Sequence, residues 1–597
     1  MSNPSLILPQ SPAYGEDYVY AAQVYDGEVP VYDVLPLTFT RASGGSRINK
    51  DGLVQNMPYN LVEQSETFTN GYWYTNNVTI NANAVTAPNG FTTAENAVTT
   101  ASDSYISSST AYGIVPLQTY TQSIYVKWVS GYENFMIRSV FFGGTGVYSE
   151  LVVNARYGTF ISCNNTYQIE NAGNGWFRIS QQLTNTDNLT AGYQIYPTVG
   201  ITQTSVISIW GAQVNIGSTA QPYLATTDRL NMPRITYPVG GGCGALLLEK
   251  QSTNLCLYSE QLNDSYWIKS NTTITANNTI SPDGTQNADL VLETTATSNH
   301  AAVSGLININ SGTSYTFSTY AKNGSGGRGL LQIGAYQLTG AFQDGFVNFD
   351  LINGTITRQT QATGKIENIG NGWYRCSMSF ASTLTVAERI NLTLINSPTA
   401  VFAPVYTGDT SKGLYLWGAQ VEASSYATSY ISTTSASSTR IADACYKTGI
   451  SNLIGQTEGT WFVDTYVGNE TDEVYGWLQA SLSGNPNDSI QINRANTNIQ
   501  CQVYVGGSVQ GIITGGTITK GQRIKVAIGY KANDLVLYLN GTQIGTDTST
   551  GIPACSLIQI GAYPPLLNDY TADGGINNVI LYKTRLTNAE LATLTTL

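Results

Sequence analysis

Apolar residues along this chain recur at every second position in short runs, the period of β-strands and not of helices. YTQSIYVKW (120–128) and YTFSTYAKN (315–323) alternate, as do WFRISQQLT (176–184) and WYRCSMSFA (373–381). VISIWGAQV (206–214) and LYLWGAQVE (414–422) are denser in apolar residues, which predicts central strands. FVNFDLINGTITR (346–358) predicts a strand, an Asn-Gly turn and a second strand. Further on, RIKVAIGY (523–530) alternates, and DLVLYLN (534–540) with Gly541 predicts a strand closed by a hairpin turn. No long 3.6-residue apolar period competes. The helical signal is a single Thr587-Asn588-Ala589-Glu590 capping box near the C-terminus.

Most of these strands belong to a pattern that occurs twice. Asn60-Leu61 answers Asn254-Leu255, and Tyr72-Trp73 answers Tyr266-Trp267. Tyr120, Ser123, Tyr125 and Lys127 answer Tyr315, Ser318, Tyr320 and Lys322. Gly173–Arg178 answers Gly370–Arg375, and Trp210-Gly211-Ala212-Gln213-Val214 answers Trp417-Gly418-Ala419-Gln420-Val421. Both copies leave through Tyr-(Leu or Ile)-x-Thr-Thr, at Tyr223 and Tyr430. The offset drifts from 194 residues at Trp73/Trp267 to 207 at Trp210/Trp417, so insertions accumulated in loops while a framework held. Each copy predicts an antiparallel sandwich of the jelly-roll kind. The chain divides into an extended, proline-punctuated leader (1–57), the first sandwich (58–225) and a connector (226–250). A second sandwich (251–434), a linker (435–450) and a third, unrelated sandwich (451–597) follow. The connector carries one buried apolar turn or strand at Ala245–Leu248.

Composition agrees with this all-β reading. Of 597 residues, 42% are hydrophobic, enough for real cores, while only 11% are charged against roughly 25% in an average domain. Glycine (59), tyrosine (39), Ser, Thr and Asn fill the difference, the make-up of strands with polar turns. The net charge of −12 and the lack of a basic run give no nucleic-acid footprint. Apolar runs fall far short of the ~18 residues that span a bilayer, so no membrane insertion is expected. The opening residues have neither a basic segment nor a long apolar core, so an export signal is not expected. Seven scattered cysteines (Cys163, Cys243, Cys256, Cys376, Cys445, Cys501, Cys555) form no C-x-x-C and are expected as buried, reduced thiols.

The C-terminal phrases GTWFVD, IKVAIGYKANDLVLYLNGTQIG, LIQIGA and GGINNVILYKTRLTNAEL resemble, in order and spacing, the concanavalin A-like, laminin G-type lectin/glucanase fold. The duplicated units, through NLVEQSETFTNGYW, NGWFR and WGAQV, are similar to carbohydrate-binding-module-like sandwich domains of bacteriophage fibre and spike proteins. The connector PRITYPVGGGCGALLLEKQSTNL and the entry FTRASGGSRIN share that likeness. The resemblance implies a virion-surface subunit made in the bacterial cytoplasm. Its leader, with Leu6, Ile7, Leu8, Val31 and Tyr32, would attach to other capsid or tail proteins. Three copies would assemble, and lectin-like domains would meet host-surface carbohydrate. Two alternatives stand beside this: a purely structural virion protein with no host ligand, and a polysaccharide depolymerase.

The residues offer little catalytic chemistry. The single histidine, His300, has no G-x-S-x-G elbow to serve and is expected as a polar loop or strand-end residue. Asp472 and Glu473 are adjacent, so on a strand they point to opposite faces and make a poor glycosidase pair; they are read as a solvated loop. Asp464 is read as structural. Asp547, Asp569, Asp573 and Asn588 could in type be calcium ligands but show no ligand spacing, so no metal and no cofactor are expected. Sugar binding remains, through exposed rings. Trp73, Trp176, Trp210, Trp267, Trp373 and Trp417 recur in both copies and are expected in cores. The unmatched Trp128, which aligns with Asn323, and the C-terminal Tyr475, Trp477 and Tyr563 are the ligand candidates.

Overall fold

The marks that repeat in sequence are the polar staples and turns that shape each sandwich. In a computed structural model, Asn60 is fully buried: its Oδ1 accepts from the Val62 and Val214 N–H groups, and its Nδ2 donates to the Ala212 and Leu224 carbonyls. Asn254 repeats the four bonds on Cys256, Val421, Ala419 and Ile431. Each asparagine thus joins the start of its sandwich to the central strand and to the exit segment. The glycine of Trp-Gly-Ala-Gln-Val is equally determined. Gly211 and Gly418 lie at φ +67° and +66°, where the central strand bulges against Ser123–Tyr125 and Ser318–Tyr320. A Cβ at Gly418 would stand 2.9 Å from the Tyr320 ring. Gly418→Ala is therefore expected to destabilise its unit by about 1–3 kcal/mol, read as a lower urea midpoint.

The structure describes the chain except residues 1–5, 9–20, 27–28, 37, 42, 58, 102, 115–118, 184–186, 200–203, 228–232, 239–240, 242–243, 325, 337–344, 469–479, 486, 549–550 and 561–573. It forms two compact units. One, Thr40–Gly44 with Met57–Met232, is the first sandwich. One of its sheets runs in the order Thr159–Cys163, Tyr148–Asn154, Asn134–Phe142, Thr190–Tyr196, Tyr105–Ser108, Trp73–Asn76, with Tyr112–Gly113 also on Thr190–Tyr196. The other runs Tyr167–Gly173, Trp176–Leu183, Tyr120–Gly131, Ser205–Ile216, Ala94–Thr99, Val78–Val85. All pairs are antiparallel and many neighbours are distant in sequence, as jelly-roll-like winding requires. Ile124, Val126, Ile137, Leu151, Ile179 and Ile207 fill the space between the sheets.

The second unit, Met1–Phe39, Gly45–Asn56 and Pro233–Leu597, holds the second and third sandwiches. The second sandwich repeats both sheet orders strand for strand, from Ile268–Ser270 to Gly413–Glu422. The hairpin Gly45–Ile48/Val54–Met57 lies on it: the Val54 N–H donates to Pro282 O at 2.9 Å, and Val54 packs with Tyr320, Trp373, Trp417 and Tyr430.

In the third sandwich, Glu458–Tyr466 lies between Gly574–Tyr582 and Arg523–Lys531. Leader and connector extend this sheet from opposite ends of one strand. Leu6–Leu8 pairs with Gly574–Tyr582 in the register Leu6↔Leu581, and Ala245–Leu248 pairs with it in the register Leu246↔Ile576. Thr38–Thr40 edges the opposing sheet beside Ala444–Thr448. Trp461, Val463, Ile490, Ile528, Leu537 and Ile558 form the core. The expected capping box is present: Thr587 caps helix Asn588–Thr595, whose Leu591 packs on Phe462 and Val536. Asn540 and Gly541 take positive φ in the hairpin after Asp534–Leu539, again as expected.

The connector strands also carry a buried ion network. Arg234 pairs with Glu249 at 2.7 Å and with Asp443, and Arg440 reaches Glu249 at 3.2 Å. All four side chains are at most 4% exposed. Burial alone would raise the Glu249 carboxyl, but Arg440 and Arg234 overcome it and hold its pKa at about 2.

Candidate functional site in the first sandwich

The two duplicated sandwiches share a framework and differ in what they show to solvent. Tyr74, Phe91, Phe142, Tyr148, Tyr157, Phe160 and Tyr167 are strongly exposed on the first. Among the described residues, the second has no strongly exposed aromatic side chain.

Phe160 and Tyr167 form the best-defined pair. Thr159–Cys163 is the outermost strand of one sheet and Tyr167–Gly173 the outermost strand of the other, joined by a three-residue turn at 164–166. Both edges are open to solvent, so their side chains have no second layer to enter. A bulge at Ile161 bends the first edge. The Phe160 and Tyr167 rings stack on each other, with centroids 4.3 Å apart and planes within 7°. They border a shallow groove of about 800 Å³ whose floor is residues 165–170. The turn is pinned: Asn164 Oδ1 accepts from Glu150 N at 2.9 Å, and Asn165 Nδ2 donates to Ser149 Oγ at 2.7 Å. Gln168 and Glu170 are exposed beside the rings and supply donors and acceptors. A preformed aromatic step with polar groups at its edge suits a ring that has one apolar face and many hydroxyls.

Trp128 stands apart from this pair. It is half-buried on Tyr120–Gly131, and its Nε1 donates to Gly131 O at 3.2 Å. The Arg156 guanidinium lies 4.6 Å from its ring centroid and 5.2 Å from that of Tyr157. Arg156 is also ion-paired to Glu133 at 2.9 Å, so the protein itself covers one face of Trp128. Tyr475, Trp477 and Tyr563 lie outside the described residues, as do Asp472, Glu473, Asp569 and Asp573. The six duplicated tryptophans are all buried, as expected from their recurrence. Tyr157, Phe160 and Tyr167 were not singled out from sequence, although the criterion that selected Trp128 also selects them: they stand opposite Asn353, Ile356 and Gly364 of the second copy.

Among the described residues no group of three or more His, Cys, Asp or Glu is placed to hold a metal ion, and no helix is long and apolar enough to cross a membrane. His300 begins the strand His300–Val303 and is fully buried, its ring nitrogens 2.8 Å from Asn271 O and 3.3 Å from Tyr406 O. It sits at a strand end, as expected, but inside the fold. Each nitrogen faces a backbone carbonyl inside the fold, so neither is open to a substrate. Of the six described cysteines, Cys256, Cys376, Cys445, Cys501 and Cys555 are buried and Cys163 is half-buried.

The family described as the concanavalin A-like lectin/glucanases superfamily matches residues 457–592. The C-terminal domain is concanavalin A-like. No curated protein matches the chain. Solved structures similar to parts of it include the CBM40 of Ruminococcus gnavus IT-sialidase bound to α2,3-sialyllactose, at 15% identity over 24% of this chain and 84% of that one, with a TM-score of 0.20. Domain 4 of AbnA, a GH43 extracellular arabinanase from Geobacillus stearothermophilus in complex with arabinotriose, is 16% identical over 29% of this chain and 82% of that one, TM-score 0.22. The heptameric SAP-like pentraxin of Limulus polyphemus is 15% identical over 23% and 68%, TM-score 0.19.

Within the concanavalin A-like domain, Asp464 is fully buried, bound by Arg523 at 2.7 Å and by Asn577 Nδ2 at 3.1 Å. Asp547 accepts from the Ile512 N–H at 3.2 Å, and Asn588 accepts from Arg585 at 2.8 Å. These contacts hold the sandwich together and leave Asp464 no open face toward a substrate.

Proposed function

We propose that this protein is a bacteriophage virion-surface fibre or spike subunit that adheres to host-surface glycan, with the Phe160/Tyr167 groove of the first sandwich as a contact site. The observation that carries the binding site is the divergence of the duplicated pair: one framework, with strongly exposed rings, among the described residues, on one copy only. Rings that merely filled space would be expected on both. The virion setting rests on the sequence resemblance to phage fibres and spikes. Assembly as a trimer belongs to the same reading, and several weak sites on one particle would add by avidity.

Attachment to other virion proteins is assigned to the leader. Leu6, Ile7 and Leu8 are already paired within the chain, whereas Val31 and Tyr32 lie on Val29–Pro36, the outermost strand of its sheet among the described residues. A partner strand added at that edge is the proposed mode. A second reading, a subunit that meets only other virion proteins, is favoured by Val147 and Leu189, exposed aliphatic side chains that a sugar would not use.

Adsorption competition separates the two. Purified protein is expected to bind host cells and block phage adsorption, and Phe160→Ala/Tyr167→Ala is expected to bind about tenfold more weakly, the loss of ~1.4 kcal/mol of stacking. Both substitutions are at exposed positions, so the fold should persist. Equal binding by the variant would remove the groove from the reading, and no cell binding at all would leave the structural subunit as the better account.

A further inference from the structure

The duplication points to a second site, independent of the aromatic groove. We propose that a cleft between the second sandwich and the concanavalin A-like domain binds a carboxylate-bearing sugar, with Arg375 as the group that takes the carboxylate. The cleft has a volume of about 360 Å³, and Arg375, Tyr320, Thr428, Ser429 and Tyr466 are among the residues that line it.

Arg375 and its counterpart Arg178 occupy the same place in their sandwiches. Each lies over a tyrosine, 5.4 Å from the Tyr320 centroid and 5.3 Å from that of Tyr125. Each donates to a serine hydroxyl, Ser318 at 3.1 Å and Ser123 at 3.3 Å. Arg178 then donates to the Gln221 carbonyl at 2.7 Å, and Arg375 has no such bond. One residue nearby also differs between the copies. Asn215, which accepts from the Gln221 N–H in the first copy, is Glu422 in the second. The Glu422 carboxylate takes the backbone N–H and the hydroxyl of Thr428, the residue at the position of Gln221. The turn is bound to Glu422 through both groups of Thr428, and its carbonyl does not serve the arginine.

Arg375 is thus left without that carbonyl, in a residue only 8% exposed that borders a cleft; its buried Nε lacks a partner, as does that of Arg178. Arg375 forms no ion pair among the described residues. Glu422, Glu367 and Glu249 act on it only from beyond contact distance. The two lining carboxylates are engaged elsewhere, Glu249 by Arg234 and Arg440 and Glu367 by Lys365 at 2.8 Å. A planar guanidinium without a carboxylate is suited to an incoming one, through paired charge-assisted bonds. At the rim stands Tyr466, 37% exposed and, among the described residues, the one strongly exposed aromatic of this unit. Its ring adds a stacking face, which a sugar acid uses and a bare inorganic anion does not.

Ligand-observed NMR titration of the full-length protein tests this with three probes: methyl glucuronide, its neutral twin methyl glucoside, and inorganic phosphate. The glucuronide is expected to bind at least tenfold more tightly than the glucoside and to resist displacement by equimolar phosphate. Arg375→Gln is expected to abolish that preference, while Phe160→Ala/Tyr167→Ala leaves it intact, so this site and the aromatic groove stand or fall separately. The proposal is overturned if glucuronide does not bind by ~10 mM, the weak end of single-site affinity. Binding no tighter than the glucoside, displacement by phosphate, or full preference in a folded Arg375→Gln protein would each overturn it as well. Should Arg375→Gln not fold, the exposed Tyr466→Ala decides: a fivefold or greater loss supports the site, and unchanged affinity overturns it.

Discussion

Replacing Glu249 by glutamine is expected to destabilise its unit by about 3–5 kcal/mol at neutral pH, the usual result of removing one partner from a buried ion pair. Two guanidiniums depend on this carboxylate. Arg234 retains Asp443, but Arg440 loses its one carboxylate contact, and both lie in side chains at most 1% exposed. The amide can still accept a hydrogen bond but cannot offset charge, so a net positive charge stays buried. The pH dependence carries an independent signature. Burial would raise the Glu249 pKa, yet Arg440 and Arg234 bring it to about 2, below the ordinary 4.5. A carboxyl depressed by folding stabilises above its unfolded pKa, and that contribution is lost as pH falls through the folded value. Its share, on the order of 3 kcal/mol, should fade in wild type between about pH 4.5 and pH 2. Urea unfolding across that range is expected to show the steep acid loss in wild type and a flatter profile in Glu249→Gln. Equal slopes would mean that the network is already satisfied without this charge.

That network also marks where the sequence stopped being legible. Strand period and duplication were readable, because both are local or self-referential signals. The partner of each strand was not. Leu6–Leu8 pairs with Gly574–Tyr582 across nearly the whole chain, and nothing in a proline-punctuated leader names that partner. Likewise Val54 reads as one apolar residue in the leader, and only the fold reveals the Tyr320/Trp417/Tyr430 cluster beneath it. Arg234, Glu249, Arg440 and Asp443 fall in connector and linker, where charge ordinarily signals solvent. Their burial follows from the connector lying between two sandwiches of one unit, a tertiary fact. His300 at a strand end was readable, and its complete burial was not. The aromatic pair at Phe160 and Tyr167 is a different case: comparing the copies position by position would have found it, because the residues opposite are Ile356 and Gly364.

The largest loss is expected from the asparagines that the duplication flagged without explaining. Asn254→Ala removes two acceptor and two donor bonds at a fully buried site. It strands the Cys256 and Val421 N–H groups and the Ala419 and Ile431 carbonyls, with an alanine too small to let the backbone close. At about 1–3 kcal/mol for each orphaned buried group, the sum exceeds ~4 kcal/mol, a large fraction of a whole domain's stability. Asn254→Asp is the sharper probe: it keeps the two bonds accepted by Oδ1, loses the two given by Nδ2, and adds a buried charge beside two carbonyls. It is therefore expected to be no better than alanine at neutral pH and to recover as pH falls and the carboxyl takes a proton that can donate. Asn60→Ala is the matched change in the other compact unit. Hydrogen exchange followed peptide by peptide should show protection lost around 254–434 in the first variant and around 60–225 in the second. If either alanine variant keeps wild-type protection, the four bonds add little beyond what water would supply, and the recurrence of Asn-Leu in both copies would need another cause.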